Sequence, residues 1–83
     1  MLRILHQENL KPTDMVTTIL LRNGGEFIII VGGVGEAEVL EHFTRAEVLE
    51  SVQVSVDQVD EIIESMILVV KTYTEHQVTS ISA

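Results

Sequence analysis

Hydrophobic and polar positions along the chain fall into blocks of different period. Met15–Arg22 (MVTTILLR) and Glu26–Val31 (EFIIIV) are rich in β-branched and aliphatic residues, with Asn23-Gly24-Gly25 between them. Such side chains favour strands, and Asn-Gly accepts the positive φ that a tight turn demands. Residues 15–31 are therefore expected to form a β-hairpin. The second run is almost unbroken in apolar residues, which predicts a strand covered on both faces and central in its sheet.

Further along, the pattern changes to helix punctuation. Thr44 precedes Glu47 by three, with Phe43 and Val48 at the two staple positions, and Ser55, Gln58, Val54 and Val59 repeat the arrangement. A capping box with a hydrophobic staple marks a helix start, so helices are expected over 45–52 and 56–76. The second carries Val59, Ile62, Ile63, Met66, Ile67, Val70 and Tyr73 at three-and-four spacing, an apolar stripe. Asp57, Asp60, Glu61 and Glu64 take the other side, and acids in a first turn suit the helix dipole. From Met66 to Val70 no polar residue interrupts. A segment apolar all round needs cover on every side, from the sheet and the first helix or from a second subunit. In so short a chain the expectation falls on a homodimer, with Met66, Ile67, Val70 and Tyr73 in self-association.

Three segments are less decided. Residues 1–14 open with Leu2, Ile4 and Leu5, as a strand or a short helix, and Pro12 forbids a helix through it. Residues 36–43 (EAEVLEHF) fit a third strand or a short helix equally. Residues 77–83 form a polar, β-branched tail, either frayed or a late edge strand. The whole reads as one α+β domain, 1–83: a small antiparallel sheet based on a β-hairpin, packed against a short helix and a long C-terminal helix.

Composition adds constraints. The 83 residues include no cysteine, and Phe27, Phe43 and Tyr73 are the aromatic residues, so the core is aliphatic. Disulfides and cysteine-ligated zinc are excluded, which leaves a partner as the means of adding buried area to a small domain. No apolar run approaches the ~20 residues of a membrane-spanning helix. No signal sequence is visible, and the expected location is the cytoplasm, of a cell or of an infected host cell. The formal net charge is −8. Residues 36–64 hold nine acids against Arg45, nine minus one, so this third of the chain accounts for all of it.

The run from Thr44 to Val59 resembles a DNA-binding helix-turn-helix, two capped helices across a short turn. It departs where Gln53 replaces the usual glycine and where the second helix offers Asp57, Asp60, Glu61 and Glu64 with no base before Lys71. DNA binders neutralise phosphates with Lys and Arg, so direct nucleic-acid binding is not expected. Gly32-Gly33-Val34-Gly35 follows a strand as phosphate loops do, but Glu38 stands where a third glycine belongs and no Gly-Lys-Ser/Thr follows. A plain turn is expected. Glu38, Glu41 and His42 offer carboxylate and imidazole ligands for a weakly held metal, though a surface pair is the expectation. His6 and His76 are too distant in sequence to place with them. No catalytic elbow or cofactor motif is present, so no enzyme, cofactor or metal is expected.

These features favour a small, acidic, non-enzymatic protein-binding module. It would dock on a basic protein partner through the 36–64 surface, with Glu47, Glu50, Asp57, Asp60, Glu61 and Glu64 as partner-binding residues. The alternatives are a nucleic-acid-mimicking inhibitor of viral type and a helix-turn-helix regulator.

Overall fold

A computed structural model of the protein describes residues 2–6 and 9–82, with side chains for 2–5 and 9–74. The α+β class holds, with four strands, a short helix and a long one. In chain order these are β1 (Leu2–His6), β2 (Met15–Asn23), β3 (Glu26–Gly32), α1 (Glu36–Val39), a 3₁₀ turn (Arg45–Glu47), β4 (Val48–Ser55), a second 3₁₀ turn (Val56–Gln58) and α2 (Val59–Ser82). The sheet order is β1-β3-β2-β4. It is mixed, not purely antiparallel, because β1 runs parallel to β3.

The hairpin forms as its sequence predicts, in register from Thr17 opposite Gly32 to Asn23 opposite Glu26. Its two-residue loop is Gly24-Gly25, and the positive φ falls on Gly24, at 63°. Glycine tolerates that conformation because it has no Cβ. β3 is central and buried, as its unbroken apolar run requires.

Alternation along β2 sends its side chains to two cores. Val16 and Leu20 join Ile29, Val31 and Met66 on the face covered by α2. Ile19 and Leu21 join Ile28 and Val39 on the opposite face, under α1 and its flanking loop, with Val34, Phe43 and Val48 packed around them. The two helices therefore lie on opposite faces of one sheet.

Residues 45–52 are not a helix. Thr44 does cap, its N–H and hydroxyl both donating to Glu47 Oε1 at 3.0 Å, but only the 3₁₀ turn follows. Val48–Ser55 then pairs antiparallel with β2. Val52 and Val54 alternate with Ser51, Gln53 and Ser55, a two-residue period, and pairing here satisfies the second hydrogen-bonding edge of β2. A bulge at Leu49 shifts the register between Leu20–Glu50 and Leu21–Val48. The extra residue lets Val48 serve the far core while Val52 serves the helix-covered one. With 48–55 a strand, no helix-turn-helix exists here. Residues 36–43 resolve to the short helix α1 and a turn. Residues 77–82, expected as a tail or strand, continue α2; Ala83 lies outside the described residues, as do Met1, Gln7 and Glu8 of the undecided 1–14 segment.

The α2 segment is held at its approach and again at Tyr73. At its approach, the Val56 and Asp57 N–H groups donate to the carbonyls of Asp14 and Pro12 at 2.9 and 3.1 Å, pairing donors a helix start would leave orphaned. Farther along, the Tyr73 ring meets Phe27 edge-on at 6.0 Å. The Arg22 guanidinium lies 4.7 Å from its centroid and also donates to its hydroxyl.

One buried group is unsatisfied. The Thr18 hydroxyl, in a residue with no exposed surface, has no hydrogen-bond partner. Thr18→Val removes that cost while keeping the shape, and is expected to raise unfolding free energy by about 1 kcal/mol. Urea denaturation checks this; a lower midpoint at unchanged slope would contradict it.

Candidate interaction surface

The acidic third of the chain does not form one surface. Glu36 and Glu38 lie on α1 and Glu41 just after it, over the far core, whereas Asp57, Asp60, Glu61 and Glu64 belong to the α2 side. At 100° per residue Asp60, Glu61 and Glu64 cluster within about 100° on the side of the helix away from Met66, and Asp57 precedes them in the 3₁₀ turn that leads into it. Asp57, Asp60, Glu61 and Glu64 are all exposed, and among the described residues none of the four forms a salt bridge. Asp57 accepts a hydrogen bond from the Ser55 hydroxyl.

The other two expected partner-binding residues sit elsewhere. Glu47 is engaged in the Thr44 cap. Glu50 is on β4 opposite Leu20, exposed at the sheet margin. On α1, Glu36 pairs with Arg45 at 2.8 Å. Glu38, Glu41 and Glu50 are also exposed and without a salt bridge among the described residues, but they are scattered, whereas Asp57, Asp60, Glu61 and Glu64 form one contiguous group.

The residues expected in self-association face inward to differing degrees. Met66 is fully buried against the protein's own sheet. Ile67 and Val70 are half-buried against the same core, and Tyr73 is held by Phe27 and Arg22. The sheet thus covers Met66 fully and Ile67 and Val70 in part. What α2 leaves uncovered is Leu68, 64% exposed, and Val69, 40% exposed. Periodicity separates them: Leu68 falls about 200° from Met66 around the helix.

Glu38, Glu41 and His42 are all exposed, and among the described residues no group of His, Cys, Asp or Glu is placed to hold a metal ion. The side chains of His6 and His76 lie outside the described residues. No described helix is long and apolar enough to cross a membrane. Comparison with protein-family models, curated proteins and solved structures finds no match to the chain.

Substitution separates core from surface on α2. Met66→Asp places an unpaired charge in the core and is expected to cost more than about 3 kcal/mol, enough to unfold a small domain. Leu68→Asp should stay within about 1 kcal/mol of wild type. Circular dichroism during thermal melting distinguishes them; equal losses for both would contradict this placement of α2.

Proposed function

We propose that the protein is a non-enzymatic interaction module that docks on a basic patch of a partner protein through the outer ridge of α2. The observation that carries the reading is the set of four exposed carboxylates, Asp57, Asp60, Glu61 and Glu64, without a salt bridge among the described residues. Charges left unneutralised on one rigid element steer a complementary surface into place and fix its orientation. A helix is a suitable carrier, since α2 is packed along the sheet and anchored at Val56, Asp57 and Tyr73.

The span of the ridge favours a protein partner over a mimic of nucleic acid. From Asp57 to Glu64 the carboxylates cover about 10 Å of helix. Duplex DNA presents about six charges over that length and continues indefinitely. Glu36, Glu38 and Glu41, on the other face of the sheet, do not extend the ridge into a track.

The test compares two neutralised variants in partner capture from lysate of the source cell, treated with nuclease. The first carries Asp57→Asn, Asp60→Asn, Glu61→Gln and Glu64→Gln; the second carries Glu36→Gln, Glu38→Gln and Glu41→Gln. The first should lose affinity for the captured partner by about tenfold or more, with a weaker salt dependence, and the second should bind as wild type. Equal binding by all three proteins would reduce the α2 charge to a solubility role.

A further inference from the structure

The sheet has two end strands, and they are built differently. The outer margin of β4 is broken by the bulge at Leu49 and carries Glu50, Ser51 and Gln53. Bulges and charges are devices that keep a strand edge from pairing with another chain. β1 has neither. Leu2-Arg3-Ile4-Leu5 runs in unbroken register with Phe27–Ile30, and its single charge, Arg3, is drawn to Glu26 at 2.6 Å. Ile4 and Leu5, on opposite faces of the strand, remain 40% and 48% exposed.

Beside this edge lies a groove of about 540 Å³ between β1 and the first turns of α2. Ile4, Leu10, Val56, Val59 and Ile63 line it, and Asp60 is its charged residue. The hydrogen bonds from Val56 and Asp57 to Asp14 and Pro12 fix the loop after Leu10 against the start of the α2 segment. An open strand edge next to an apolar groove is the arrangement that accepts an added strand: backbone pairing holds the segment, and alternate side chains enter the groove.

We propose that β1 and this groove receive an extended segment of the partner protein, with alternate residues apolar and a Lys or Arg meeting Asp60. This rests on the reading of a basic partner given above and adds the way in which that partner is held. Charge decides the occupant. Asp60 has no cation in contact among the described residues, and Asp57, Glu61 and Glu64 stand within a turn or so of it. A second copy of this chain carries a net charge of −8, and its own β1 offers only Arg3 among the described side chains, already engaged by Glu26. A basic segment neutralises the rim, whereas a second copy adds to its repulsion.

The full chain, labelled with nitrogen-15, is titrated at about 0.15 M salt with three synthetic peptides. The first alternates Lys with Val or Ile; the second is the same peptide N-methylated on every other amide, along the edge that would pair; the third has Glu for Lys. The first should bind about tenfold or more tightly than either of the others, with its largest amide shifts in Leu2–Leu5, Leu10 and Ile63. Equal binding by the N-methylated peptide, no binding by any peptide, or shifts centred on Glu61, Glu64 and Leu68 would overturn the edge site while leaving the basic-partner reading intact. Equal binding by the Glu peptide would overturn both. A dimer in sedimentation with β1 amides protected before any peptide is added would assign the edge to a second copy and overturn the proposal.

Discussion

Everything in this molecule depends on a single helix lying across one face of a small sheet. Met66 of α2, fully buried, meets the core built by Val16, Leu20, Ile29 and Val31, and the helix is held at its approach by Pro12 and Asp14 and farther along by Phe27 and Arg22. A domain of this size has little apolar area to bury, so it cannot cover everything. Among the described residues the opposite face receives α1 and its flanking loop, and neither end of the sheet receives a further strand. The uncovered features follow directly: the acidic ridge of α2, the exposed Leu68 and Val69, and the edge at β1.

The same geometry divides the net charge. Residues 36–64 hold all of it in sequence, yet the chain crosses from one face of the sheet to the other within that stretch, through β4. Glu36 and Glu47 are engaged by Arg45 and Thr44, whereas the α2 acids have no counter-charge in contact among the described residues. A charge sum along a sequence window thus overstates the size of the surface and misses its direction. The acids proposed for docking are the ones whose element turns its apolar side to the core.

What was legible in the sequence was local. The hairpin rests on adjacent strands and a glycine turn, and α2 rests on a stripe repeated over many turns, so both are written in short-range order. The strand at 48–55 was missed because Thr44 and Glu47 form a genuine cap. A cap fixes where a helical turn begins and says nothing of how far it continues. The period-two alternation of Val52 and Val54 was the available signal, and the need of β2 for a second neighbour decided the outcome. β1 depends entirely on parallel pairing with a strand some twenty-five residues ahead, as in Leu2 with Phe27, which no local pattern encodes. The inward turn of Met66 follows from the same limit, since a run apolar all round does not reveal which side the sheet will take.

Carboxylate footprinting reads out whether the outer ridge of α2 is the docking surface. The protein is labelled with a carbodiimide and an amine, alone and after loading with nuclease-treated lysate of its source cell, and each acid is read by mass spectrometry. Protection of Asp57, Asp60, Glu61 and Glu64 with undiminished labelling of Glu38 and Glu41 is expected. Protection of Glu38 and Glu41 with the α2 acids still labelled would contradict it and move the interaction to the opposite face of the sheet.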